Sequence, residues 1–481
     1  MLKYPICSRI VKAIYTEPVQ RLYQGNPVIE ALPEQLPLFE LFDALTYFPP
    51  YDEAERHYES YDRQASLAQI HTCFIPRSIH IEMTRKFHSA VCLGYASRNP
   101  MTACFVSDLT ELSKCVKSKD SLFERVKLSN AISAGYSIFG SSGTGKSSAM
   151  NRIEDLYPQI IEHESYKGRS FHYKQIVWMK LDCPPDGHLK GLLVNFFSEF
   201  DRLTGDNTLA KFAGNGRASI DQLIPQMALV ARRHSLGVMV IDEIQNLLKT
   251  TVGAKEEMLK CFKSLVNVIG VPIIYIGTPE AIAVLSDGLM NARRSTGTGA
   301  VFVDVFDRNS DEWLMFIRQI WDFQWTKNLT PITPEIINLM YDLSAGIASV
   351  AANIYIAVQE AAIRQGELGG NEIITAQLIK AVASSPSFSL LEKNVDMIRN
   401  PQDHVTDPDA QMLLRLNKEI RNNPPPKKRK VSADDSSERD DLLQESIAIP
   451  PKRNIDQSTS KPLIAGSLEL ENIILKKDQE F

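Results

Sequence analysis

The chain has 481 residues, 44% of them apolar, which is enough to bury a large core and to fill two or three domains. Its formal charge of -5 and pI near 6.1 exclude the bulk basicity of a protein coated for nucleic acid, although a basic track on one surface is compatible with an acidic whole. Apolar runs stay shorter than the roughly 18 residues a spanning helix needs, and the seven cysteines contain no C-x-x-C pair, so neither a membrane helix, a disulfide framework nor a zinc site is expected.

From the N-terminus, Met1-Leu2-Lys3-Tyr4-Pro5 lacks the charged-then-apolar order of a signal peptide, which points to a soluble, intracellular chain without a membrane partner. Residues 1–130 are rich in turns and aromatics, as in Tyr23-Gln24-Gly25-Asn26-Pro27 and Phe48-Pro49-Pro50-Tyr51, and are expected to form an accessory or partner-binding region. Over 131–330, short apolar runs alternate with amphipathic stretches, the pattern of an α/β domain with a five-stranded parallel sheet. The expected strands are 136–139, 176–181, 238–242, 272–277 and 301–306, with helices at 147–156, 189–203, 219–234, 256–269 and 280–290. Residues 331–420 turn purely helical (334–344, 348–365, 375–384), consistent with a small lid and following helices. Beyond 420 the composition cannot bury enough apolar surface to fold, so 421–481 is expected to be a flexible basic and acidic tail, with 468–475 a short partner-binding helix. Its Lys427-Lys428-Arg429-Lys430 cluster has the composition of a nuclear-localisation signal and of a nonspecific polyanion contact. The second reading is preferred because nothing else points to a nuclear protein.

The chemistry concentrates in Gly140-Ser141-Ser142-Gly143-Thr144-Gly145-Lys146-Ser147-Ser148, which follows an apolar strand and opens a helix. This G-x-x-x-x-G-K-[ST] pattern is a phosphate-binding loop: glycines turn the backbone amides toward a β-phosphate, Lys146 reaches the β/γ oxygens, and Ser147 offers its hydroxyl to Mg²⁺. ATP with Mg²⁺ is the expected ligand pair, and the motif by itself leaves GTP open. A second apolar strand closes on Asp242-Glu243, with Asp242 placed to hold the Mg²⁺ shell and Glu243 to orient and deprotonate an attacking water. A third strand ends in Gly277-Thr278-Pro279; Thr278 is a candidate γ-phosphate sensor, and a turn-forming Thr-Pro accounts for it equally well. Just before the fifth expected strand, at the end of the helix that precedes it, Arg293 or Arg294 is a candidate finger completing a neighbouring subunit's site. Lys190 and Arg217, each at a helix start, are the candidate contacts to DNA phosphates.

The order of phosphate loop, Asp-Glu strand, Gly-Thr strand, arginine pair and helical lid resembles the AAA+ ATPases. Four segments, Asn26-Pro27-Val28-Ile29-Glu30-Ala31-Leu32-Pro33, Gly94-Tyr95-Ala96-Ser97-Arg98-Asn99-Pro100, Ile241-Asp242-Glu243-Ile244-Gln245-Asn246-Leu247 and Val268-Ile269-Gly270-Val271-Pro272, resemble those of the TnsC/TniB family of AAA+ regulators of DNA transposition, over about residues 20–385. So does Ile276-Gly277-Thr278-Pro279 with the downstream Ala292-Arg293-Arg294. The resemblance implies an ATP-dependent homo-oligomer, ring or filament, on double-stranded DNA. It would link a target-selection protein to transposase subunits, with hydrolysis as the release switch, in the cytoplasm of a bacterium and associated with its nucleoid. One departure stands out: Leu343 to Ser349 carries no arginine where many AAA+ lids place one. An initiator or loader-type AAA+ ATPase is the alternative, and the absence of a convincing helix-turn-helix ranks it second.

Overall fold

Three runs of the chain are apolar at every or nearly every position, and a strand of that composition is stable only where both faces are covered. In chain order the strands of the computed structural model are β1 (Ile10–Lys12), β2 (Tyr136–Phe139), β3 (Ile160–Tyr166), β4 (Arg169–Ile176), β5 (Trp178–Asp182), β6 (Val238–Asp242), β7 (Ile273–Gly277) and β8 (Ala300–Phe302). The structure describes residues 2–118, 135–214, 218–288, 299–400, 402, 407, 411 and 412. Every residue of β2, β6 and β7 is buried. These three form the centre of a five-stranded, all-parallel sheet in the order β5-β6-β7-β2-β8.

Three of the expected strands differ in their limits, β7 only by starting at Ile273 rather than 272. Ile176 ends the antiparallel strand β4, so the apolar run around it is divided and β5 starts at Trp178. The last strand covers only Ala300–Phe302 rather than 301–306: the Val303 amide still donates to Phe139 O at 2.7 Å, but the Phe306 amide turns to Gly346 O in the lid. A second sheet, β1-β3-β4, was not legible beforehand. Its hairpin turns at Lys167 and Gly168, both at positive φ (48° and 76°), as a two-residue hairpin turn matching strand twist requires.

The N-terminal region builds directly onto this core. Helix Ser78–Ala96 buries Met83, Phe87, Val91 and Tyr95, and its Met83 carbonyl accepts from the Tyr136 hydroxyl of β2 at 3.1 Å. Helix Ala103–Ser118 buries Asp108, which pairs with the equally buried Arg232 of helix Ile220–Arg233. The stretch before residue 78 straps the lid, formed by Pro334–Ser344, Ala348–Glu367 and Ala376–Ala383. Tyr51 donates to Gln324 O at 2.7 Å, Arg56 to Thr326 O at 2.9 Å, and Arg63 forms a buried ion pair with Glu372. All seven cysteines are free thiols; Cys92, Cys115, Cys183 and Cys261 are buried.

Candidate nucleotide site

Strand register decides what meets at the site. Phe139 of β2 lies opposite Gly277 of β7, and Ile241 of β6 opposite Tyr275, so the loop from Gly140, the Asp242-Glu243 pair and Thr278 all emerge at the C-terminal edge of the same three strands. Ligands of open parallel sheets bind at that edge. From Gly140 the chain passes through Gly143 (φ 82°) and Gly145 (φ 92°), left-handed conformations that suit glycine, and enters helix Lys146–Asp155. The first-turn amides of an α-helix lack intrahelical partners and carry its positive dipole end, so residues 146–148 favour an anion.

The loop's side chains are arranged around that end. Lys146, nearly buried, donates to Gly140 O at 2.7 Å and Ser141 O at 2.9 Å, folded across the mouth of its own loop. Thr144 braces the turn by donating to Ser141 O at 2.9 Å. Ser147 is half-buried, while Ser142 and Ser148 are exposed. Close packing leaves no space behind the loop: a Cβ on Gly140 would lie 2.2 Å from Val303 O, and one on Gly143 would lie 2.3 Å from Ser349 Oγ. The loop therefore fits a phosphate group: positive-φ glycines, a helix N-terminus and the Lys146 ammonium all lie within residues 140–148. Mg²⁺ would be held by Ser147 and Asp242, where it would supply charge neutralisation of the β/γ oxygens.

Asp242 is buried at the end of β6. Its Oδ1 accepts from the Glu243 amide at 2.9 Å and its Oδ2 lies 3.2 Å from Lys180 Nζ, which also donates to Asn151 Oδ1 at 2.8 Å. Glu243 itself has φ 57° and ψ 36°, a left-handed conformation uncommon for a residue with a Cβ, and strain of this kind clusters at functional sites. Its Oε2 accepts from Gln245 Nε2 at 2.5 Å, and Gln245 Oε1 accepts from the Thr278 amide at 3.3 Å. The Thr278 hydroxyl is turned toward Glu280 at 3.5 Å, and its carbonyl accepts the Ala281 amide that opens the next helix. On the loop helix, Glu154 is buried away from water; burial pushes its carboxyl up to about 8, with Lys180 opposing and Asp155 and Asp242 adding to the rise.

Lys190 is exposed as the second residue of helix Leu189–Thr204. Arg217, Arg293 and Arg294 lie outside the described residues, as does the tail with Lys427 to Lys430 and 468–475. Where the sequence from Leu343 to Ser349 carries no arginine, the start of helix Ala348–Glu367 meets the loop itself: the Ser349 amide donates to Gly143 O at 3.2 Å. Lys180 and Gln245 were not singled out by sequence reasoning. The available signals were a lysine inside an otherwise mostly apolar strand and an amide two residues beyond the acidic pair. Among the described residues, no three His, Cys, Asp or Glu side chains cluster as a metal-binding group, and no single helix is long and apolar enough to cross a membrane.

The strand order, the loop and the acidic strand end define the architecture of an AAA-type P-loop NTPase, an α/β nucleotide-binding domain with a helical lid. In agreement, residues 135–285 match the family model described as the AAA domain. Among solved structures, the chain is similar to the Walker-type ATPase PABY2304 of Pyrococcus abyssi, at 16% identity over 61% of this chain and 76% of that one, with a TM-score of 0.35. It is also similar to the Aeropyrum pernix ORC2 protein in its ADPNP-ADP complexes, at 15% identity over 60% and 69% of the two chains, TM-score 0.34. No curated protein matches the chain in sequence.

Proposed function

We propose that this protein is an ATP-hydrolysing regulator of DNA transposition. It oligomerises on double-stranded DNA through backbone contacts and couples a target-selection protein to transposase subunits. Hydrolysis, with Glu243 as the base and an arginine of the 293–294 pair supplied by a neighbouring subunit, disassembles the complex.

The observation that carries this reading concerns the resembling segments that lie outside the generic ATPase signature. They converge on one cluster. Asn26 Nδ2 donates to Tyr95 O at 2.9 Å, Asn99 Nδ2 to Gly25 O at 2.9 Å, and Gly94 sits so close to Pro272 that a Cβ there would lie 2.7 Å from the ring. Arg98, fully buried, donates to Gly94 O and Leu236 O, both at 2.7 Å. Segments distant in sequence thus act as one packing unit that fixes the N-terminal helices against the sheet. Such mutual dependence makes these segments one structural unit, which supports reading their family resemblance together and not piece by piece.

Electron microscopy of the protein with duplex DNA, with and without a non-hydrolysable ATP analogue, tests the proposal. Rings or filaments threaded by duplex only with nucleotide are expected. Lys146→Ala should abolish these assemblies, and Glu243→Gln with ATP should trap them. Monomers in both conditions, or equal DNA affinity in the two variants, would refute the switch and favour the loading ATPase.

A further inference from the structure

Gln245 lies in the turn Ile244–Lys249, nearly buried, between the ends of β6 and β7. Its amide has only one orientation consistent with both neighbours. The Thr278 amide is a donor and must face Oε1, so Nε2 faces the Glu243 carboxylate, which only accepts. We propose that Gln245 is a positioning residue that holds the Glu243 carboxylate in register with the Thr278 end of β7. This rests on the reading of Glu243 as the hydrolytic base.

The surroundings fix each part of the link. Glu243 leaves β6 in a left-handed turn locked by its own amide on Asp242 Oδ1, which aims its side chain back across the strand ends. A Cβ on Gly277 would lie 2.9 Å from Gln245 Oε1, so the amide occupies space that a glycine leaves open at the end of β7. With Oε2 held by Gln245, the other carboxylate oxygen is presented to the water. The water oxygen bonds to the γ-phosphorus, the bond to the β,γ-bridging oxygen breaks with its electron pair leaving on ADP, and the water proton passes to Glu243. A displacement of the base by about 1 Å costs on the order of 10²-fold in such a step.

The test uses the full chain with Gln245→Met, which removes both hydrogen bonds, and Gln245→Glu, which keeps the acceptor for the Thr278 amide and replaces the donation to Glu243 with carboxylate–carboxylate repulsion. The readouts are kcat for ATP hydrolysis and Kd for a fluorescent ATP analogue. Both variants should lose kcat by about 10²-fold while Kd moves less than about threefold, because the link serves the transition state and not ground-state binding. Unchanged kcat in Gln245→Glu would overturn the proposal even if Gln245→Met failed to fold. A rise in kcat would also overturn it, by making the residue a brake, as would loss of kcat, affinity and melting temperature in parallel. Wild-type protein that binds the analogue but hydrolyses no ATP would instead refute the reading of Glu243, and the proposal with it.

Discussion

The strap over the lid rests on Arg63 and Glu372, whose side chains are 1% and 3% exposed. Arg63 reaches both carboxylate oxygens, at 2.9 Å and 2.5 Å, and also donates to Trp325 O at 2.8 Å, while Glu372 accepts the Lys327 amide at 2.9 Å. Replacing Arg63 with Leu leaves a buried carboxylate without its main partner, and replacing Glu372 with Leu leaves a buried guanidinium, so each should cost about 3–5 kcal/mol. The double variant removes both charges and should cost far less than the sum, giving a coupling of a few kcal/mol. A pH dependence follows with a definite sign. Burial by itself would raise the Glu372 carboxyl, but Arg63, the Lys327 amide and the Lys327 charge together hold it below its ordinary 4.5. A carboxyl held low in the folded state stabilises above its ordinary value and loses that contribution as pH falls through the lower folded value. Urea unfolding of wild type, both single variants and the double at pH 7, repeated below pH 4.5, measures all of this. Single costs under about 1 kcal/mol, or strict additivity in the double, would refute the buried-pair argument.

Glu154 reverses the sign. Because burial raises its carboxyl to about 8, the folded protein holds a proton that the unfolded chain releases near 4.5, and stability is lost as pH rises across that window. Glu154→Gln should therefore unfold like wild type at pH 4.5 and be more stable at pH 8 by up to about 4 kcal/mol; an equal gap at both values would refute this. At Gly140, an added Cβ would lie 2.2 Å from the Val303 carbonyl, a backbone atom that cannot rotate away. Gly140→Ala should lower stability by about 1–3 kcal/mol and weaken nucleotide binding, and a variant with wild-type melting temperature and affinity would show that the loop shifts at no cost.

How far the sequence reveals this molecule depends on whether a feature is local. β2, β6 and β7 are legible because burial on both faces demands an unbroken apolar run, and the phosphate loop because all its parts sit on one turn. The β3-β4 hairpin is hidden: His163 and Gln175 are buried yet polar, satisfied by each other at 2.9 Å across the hairpin, so the alternation that marks a strand is disguised. Helix Ser78–Ala96 is obscured in the same way by the buried polar residues His80 and Thr84 among its apolar positions. Lys180 stands opposite Val240 in the ladder and so reaches Asp242, two residues further along, only diagonally. That relation exists once register is set and not before. Gln245 is the sharper case: its neighbour in sequence, Glu243, is visible, but the Thr278 amide that orients it comes from another strand. Arg98 shows the converse. In the sequence it is one more basic residue in a segment of family likeness, whereas its hydrogen bonds to backbone carbonyls make it part of the packing and withdraw it from any role at a DNA surface. A charged residue's type therefore states which chemistry it can do, and only the atoms around it decide whether that chemistry faces a ligand or the protein itself.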